Sequence, residues 1–201
     1  MPNISAYTEA IRIFKKKNPP EMAANAGGSY DESGVIRLKY LNAEIEVNYP
    51  SGEIRSDLGL VKNDKVLILQ YLTSSCGAAP RNSWISFIQL PDGPHHHGPF
   101  VMEAINPLAV KFGENPDEFI KQVHRFGAVE TELGDYGVII PVFNNVPLAL
   151  CLWQGDEEFP AGANILFDVT APLHLTTAAL WVMGVEISGK IRGIVGQQYS
   201  K

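Results

Sequence analysis

Cysteine is nearly absent: the chain holds two, Cys76 and Cys151, in neither a CxxC pair nor any metal-ligand spacing. Neither a disulfide framework nor a cysteine-bound metal is implied. Both thiols read as inert groups in a reducing compartment, Cys76 as a small buried hydrophobe. Positive charge is also scarce. With 16 Lys and Arg against 22 Asp and Glu the net charge is −6, which argues against a nucleic-acid partner, because that binding rests on neutralising phosphates. The one cationic cluster, Lys15-Lys16-Lys17, is too short to reverse the balance. No apolar run approaches the ~18 residues of a membrane span and the N-terminus carries no signal-peptide core, so a soluble, cytoplasmic protein with no membrane partner is expected. The GxGxxG, Walker, HExxH and GxSxG patterns are missing, which removes support for nucleotide cofactors, zinc-protease chemistry and a serine elbow.

What is present is material for a core. Of the 201 residues, 45% are hydrophobic, and a chain of this size buries about 70% of the surface its unfolded form exposes. One domain over residues 1–201 is expected, with residues 1–30 a helical extension packed on it. Ile4, Tyr7, Ile11 and Phe14 recur at helical spacing and predict a helix that stops before Pro19. Asn18-Pro19, Asn106-Pro107 and Asn115-Pro116 each couple an N-cap to a proline at the first helical position. Gly27, Gly113 and Gly127 supply the closing left-handed residue. Two further helices are predicted, one from Asp64 to Ser75 with Asn63 as cap and Gly77 as stop, the other from Thr177 to Ile187. Pro91 to Pro99, which contains His95-His96-His97, reads as a flexible loop.

Strands follow from alternation. An Asn42-Ala43 turn places Tyr40 opposite Ile45, Leu38 opposite Val47 and Ile36 opposite Tyr49 on one apolar face, leaving Arg37, Lys39, Glu44 and Glu46 on a wet face. A Pro50-Ser51-Gly52 turn adds a short strand near Ile54. A second hairpin, turning at Asn144-Asn145, pairs Ile140 with Ala149, Val138 with Cys151 and Tyr136 with Trp153. Both its faces are apolar, which predicts a central, covered position with Ile139, Ile140, Ala149 and Leu150 nearly inaccessible. Strands at 82–90 and 164–169 complete an α+β fold, a mainly antiparallel, hairpin-linked sheet with helices packed on it.

The run WQGDEEFPAGANILFD from Trp153, with GDYGVIIPVFNNVPLAL before it, resembles the family known as domain of unknown function 3786. FGENPDEFI from Phe112, VLILQYL and FKKKNPPEMAANAGGSY extend the resemblance over nearly the whole chain, and WxGDEEFP from Trp153 to Pro160 is its most specific piece. The resemblance implies a cytoplasmic protein of an anaerobic bacterium or archaeon and carries no activity with it. Some members are joined to iron–sulfur-type cysteine domains, which this chain lacks. A departure follows the last strand: where the family tends to show Tyr-Leu-Pro-Thr-Glu-Asp, this chain has His174-Leu175-Thr176-Thr177-Ala178-Ala179. If the lost acids did chemistry in relatives, this chain lacks it; if they only favoured the helix dipole, their absence costs at most about 1 kcal/mol each.

The candidate chemistry is acidic. Asp156-Glu157-Glu158, between Trp153 and Phe159, carries the residue types of a hard-cation site, but adjacent residues on an extended chain point to opposite faces, which favours a solvated hairpin exit whose acids accept backbone N–H groups. Strand alternation puts Asp156 and Glu158 on one side. His95 and His97 can share a transition metal or form an exposed tract without that role. Asp168 and His174 can form an acid–base or orienting pair, without a recognisable nucleophile. Trp153, Asp156, Glu158, Asp168 and His174 are thus the candidate ligand-binding residues of a non-enzymatic accessory protein that takes a small ligand or a protein partner. No metal site is assigned, and the cofactor is unknown. The alternative is a metal-assisted hydrolase or lyase, which requires Asp156, Glu158, Asp168 and a histidine within a few Å of one another.

Overall fold

The computed structural model describes residues 5–194, so Ile4 of the first predicted helix lies outside the described residues. Two antiparallel sheets carry the fold. The first holds β1 (Ser29–Tyr30), β2 (Val35–Tyr40), β3 (Ala43–Asn48) and β4 (Glu53–Arg55) in chain order. The second is built from β5 (Trp84–Ser86), β6 (Val129–Thr131), β7 (Tyr136–Phe143), β8 (Val146–Trp153) and β9 (Gly162–Asp168), ordered β5-β9-β8-β7-β6. Helices α1 (Ala6–Phe14), α2 (Pro19–Asn25), α3 (Lys62–Ser74), α4 (Gly93–Phe100), α5 (Asn106–Phe112), α6 (Pro116–His124) and α7 (Thr177–Ile191) pack around them. This is the expected α+β class, and one cluster of buried apolar residues runs through both sheets from Ala10 to Ile191. No helix among the described residues is long and apolar enough to cross a membrane.

Both hairpins form, each with a shifted register. In the first, Leu41 and Asn42 are the turn, at φ 51° and 62°. Tyr40 therefore faces Ala43, Leu38 faces Ile45 and Ile36 faces Val47. The shift from the expected pairing is two residues, so every side chain keeps its face. A leucine adopts this backbone because its side chain is buried and its N–H donates to Val142 O at 3.0 Å, joining the two sheets. In the second hairpin the Asn144-Asn145 turn stands and Phe143 faces Val146, but a bulge between Ile140 and Phe143 moves the rest by one residue. Val138 then faces Leu150 and Tyr136 faces Leu152. Pro141 lies in the irregular stretch and has no N–H to give a ladder. β8 is the buried centre. β7 is flanked by the short β6, and Ile139 is half-buried instead of inaccessible.

The helix caps follow local chemistry in part. Asn18 accepts from Glu21 N–H at 3.3 Å and Asn115 from Glu118 N–H at 3.4 Å, and Gly27 and Gly127 both sit at φ 71°. Asn106 is not a cap. It continues a helical run from α4 through a π-helical turn at Val101–Ile105, and Gly113 stays right-handed at φ −60°. The predicted flexible stretch from Pro91 to Pro99 is therefore mostly helix. Phe100 anchors it, stacking on Phe87 with centroids 4.2 Å apart, and Gly184 makes room, since a Cβ there would lie 2.6 Å from the Phe100 ring. β5 covers only Trp84–Ser86 of the predicted 82–90 strand before a 3₁₀ turn at Phe87–Gln89, and α7 runs four residues past its predicted end.

The carbonyls at the end of α2 tie that helix to the second sheet's hairpin and to α3. Asn25 O accepts from Ser75 Oγ (2.7 Å) and Asn145 Nδ2 (2.9 Å), Ala26 O from the Tyr71 hydroxyl (3.0 Å) and Gly27 O from Asn144 Nδ2. A helix C-terminus leaves such carbonyls without intrahelical donors, and here the tip of the β7–β8 hairpin and the end of α3 provide them. Burial sets the energetic order of core sites. Leu150→Ala should cost about 2–5 kcal/mol through lost burial and a cavity. Ile139→Ala should cost less in the same urea denaturation series, and equal losses would show that the β7 face is as covered as β8.

Candidate functional site

The five residues singled out from the sequence occupy two places. Trp153 ends β8, 41% exposed, opposite Gly162 at the start of β9, whereas Asp168 ends β9. Six residues of strand separate those ends, about 20 Å at ~3.3 Å per residue. Asp156 and Glu158 follow Trp153 into an exposed turn, where Asp156 Oδ1 accepts the N–H groups of Glu158 (2.8 Å) and Phe159 (2.7 Å). Those hydrogen bonds hold the Asp156 carboxyl below its ordinary range. The acidic run thus caps its own turn. The convergence that a metal-assisted hydrolase would need is not met, and among the described residues no three His, Cys, Asp or Glu side chains group to hold a metal ion.

Asp168 and His174 are both fully buried, on either side of the 3₁₀ turn at Ala171–Leu173, beneath the chain that follows α3. Asp168 Oδ1 accepts from Thr170 N–H (2.9 Å), Thr170 Oγ1 (2.7 Å) and Arg81 N–H (3.2 Å). Burial works to raise this carboxyl, but the donors win and its pKa lies below the ordinary value. Ser75 Oγ gives its only proton to Asn25 O, so at 2.9 Å from His174 Nδ1 it accepts the ring N–H. Burial lowers the His174 pKa, against the opposing pull of the Ala78 backbone and the Asp168 charge. Cys76 begins the covering chain and is exposed, contrary to expectation, while Cys151 is buried with its thiol pushed up to about 11 by burial.

A third place, which sequence reading missed, combines a cavity with buried charge. A cleft of about 350 Å³ opens between the segment before α3, the end of α6 and the end of α7. Leu41, Leu58, Leu60 and Phe126 give it apolar walls, Arg125 and Gly59 lie at its exposed rim, and Tyr40 and Lys190 close its inner side. Behind them lies Asp64, fully buried in the first turn of α3. Its Oδ1 accepts from the Tyr40 hydroxyl (2.7 Å), its Oδ2 from Val61 N–H (2.9 Å) and Lys190 Nζ (2.8 Å). Asp64, not the expected Asn63, closes the helix start by reaching back to residue 61. Burial and the Asp64 charge push the Tyr40 phenol well above its ordinary value, so it stays a donor. One turn before Lys190, burial raises the Glu186 carboxyl although Asn63 Nδ2 donates to it at 2.7 Å. Apolar walls with a few fixed polar groups and shifted titrations are the usual makeup of a small-molecule site. A larger groove of about 420 Å³, by Gly27, Gly28, Arg37 and Lys39, is less suited, because a carboxylate, Glu44, lines it beside its cations and only Leu38 gives it an apolar wall. Arg37 pairs with Asp31 and Glu46, and Lys39 faces Glu44 across the ladder.

These contacts make two stability predictions. His174, held neutral with a lowered pKa, takes up a proton more readily in the unfolded chain, so stability should fall as pH drops below about 6.5. His174→Gln should remove this fall in the urea midpoint between pH 7 and pH 5, a window in which Asp168, with its lowered pKa, stays ionised and the raised Glu186 carboxyl works in the opposite sense. Lys190→Met should cost up to about 3 kcal/mol, the low end for breaking a buried pair, because the lysine side chain keeps 17% exposure. Adding Asp64→Asn should recover part of that loss in a double-mutant cycle, since the uncompensated charge is then gone.

A family model described as Domain of unknown function (DUF3786) matches residues 18–190. No curated protein and no solved structure matches the chain. The matched span begins at Asn18, the cap of α2, and ends at Lys190, so it contains both sheets and all of the cleft lining except Gly193. On that match over most of its length, the chain belongs to the DUF3786 family.

Proposed function

We propose that this is a cytoplasmic small-ligand-binding protein without a catalytic step of its own, and that the cleft beside Lys190 is where the ligand sits. The observation that carries the reading is the union of an apolar cleft of about 350 Å³ with the Tyr40–Asp64–Lys190 network at its inner side. That volume lies within the ~300–1,000 Å³ of small-molecule sites. The three side chains are tied to one another, with the phenol proton held on Tyr40, an arrangement that fixes charge in place more readily than it moves a proton. Two unpaired thiols suit a reducing compartment.

A second reading, protein-partner docking, draws support from the hairpin exit, where Trp153 and Phe159 are 41% and 68% exposed beside Asp156 and Glu158. The apolar and acidic side chains share one turn, as a docking patch would need. The cleft reading is tested by thermal-shift screening of small molecules on the wild type and Gly59→Phe. Gly59 lines the cleft and a Cβ there meets nothing within 4 Å, so the chain accommodates a phenylalanine at this rim position. A ligand at 100 times its Kd adds about 2.7 kcal/mol, or about 5–10 °C in Tm for a chain of this size. The shift should vanish in Gly59→Phe, and a shift of equal size in that variant would remove the cleft from consideration.

A further inference from the structure

Resting on the cleft reading, we infer that the ligand is a small organic acid, a carboxylate on an apolar body, with its charge between Lys190 and Arg125 and its body against Leu58, Leu60 and Phe126. The charges on the lining decide the sign. Both ionised groups that line the cleft, Lys190 and Arg125, are cationic, and no carboxylate lines it among the described residues. Asp64 lies behind the wall with no accessible surface, and both its oxygens are engaged. Lys190 gives Asp64 one hydrogen bond from an ammonium that carries three protons, which leaves donors to turn toward the cleft. Arg125 donates from Nη1 to Gln122 Oε1 at 2.9 Å, within its own helix end, and its guanidinium offers a fork that matches a carboxylate.

The surroundings sharpen the point. In a chain of net charge −6 the long-range field disfavours anions, so a cleft with two cations and no lining acid is a local device and not a reflection of composition. An amine would meet two like charges, of which Asp64 balances only that of Lys190, and an uncharged ligand would offer the cations neutral acceptors, weaker than a carboxylate. The four apolar walls call for more than a bare inorganic ion.

The test is calorimetric titration with matched series: hexanoate, phenylacetate and 4-phenylbutyrate, their primary amides, the corresponding amines, and phenyl phosphate. The carboxylates should bind at least about tenfold tighter than their amides, the worth of a charge-assisted hydrogen bond, and the amines should not bind. Arg125→Gln should weaken the carboxylates about tenfold and leave the amides unchanged. Gly59→Phe should remove binding of the whole series. Amides or amines that bind as well as the acids, or phenyl phosphate that binds tighter, with binding still lost in Gly59→Phe, would overturn the ligand class and leave the cleft as a ligand site. Binding that survives Gly59→Phe, or none from any series, would overturn the class and the cleft reading together. Self-association lost in Gly59→Phe, with no probe bound, would assign the cleft to a second copy of the chain and overturn both as well.

Discussion

A carboxylate without access to water must be met by donors, and Asp64 draws its donors from three separate parts of the chain. The Tyr40 hydroxyl comes from the end of β2, the Val61 N–H from the start of α3, and the Lys190 ammonium from the last turn of α7. Removing one of these leaves a buried charge or acceptor unmet, which is costlier than the net worth of the bond itself. The first sheet, α3 and the end of α7 are therefore set in one arrangement around this side chain. The cleft is a consequence of that arrangement, because the network that closes its inner side is the same one that holds the elements apart and in place.

A second set of contacts does for the two sheets what Asp64 does for the helices. Leu41 N–H crosses from the first hairpin to Val142 O, and the side chains of Asn144 and Asn145 cross from the second hairpin to the carbonyls at the end of α2. Tyr71 links the same parts through its hydroxyl and stacks on Phe143 with centroids 4.1 Å apart. Both asparagines look, in the sequence, like turn residues chosen for their backbone. Their side chains are used as helix caps in trans, which no spacing rule anticipates.

The acidic run and the buried Asp168 and His174 show how residue type alone misleads. Asp156 spends its oxygen on the turn that follows it, and Asp168 spends one on Thr170 and the chain after α3, so each carboxylate is met mainly by nearby backbone N–H groups. Density of charge in the sequence measures neither burial nor neighbours. The charges that share the wall of the cleft are Lys190 and Arg125, 65 residues apart and individually unremarked in the sequence.

Local chemistry was legible throughout. Asn18 and Asn115 cap their helices, Gly27 and Gly127 close them, both hairpins lie where alternation and turn residues place them, and the antiparallel α+β class follows from that alternation. These features depend on residues within a few positions of each other, so periodicity and capping rules reach them. Register depended on more, since the left-handed Leu41 is stabilised by a bond to β7 and the one-residue slip in the second hairpin belongs to an irregularity around Pro141. Helix α4 needed Phe87 and Gly184 to receive Phe100 before a Pro- and Gly-rich run became ordered. The cleft needed most of all: Tyr40, Asp64 and Lys190 meet over separations of 24 and 126 residues. Pairing across such distances is decided by which buried charge finds which donor once the chain has closed, and only the tertiary structure holds that answer.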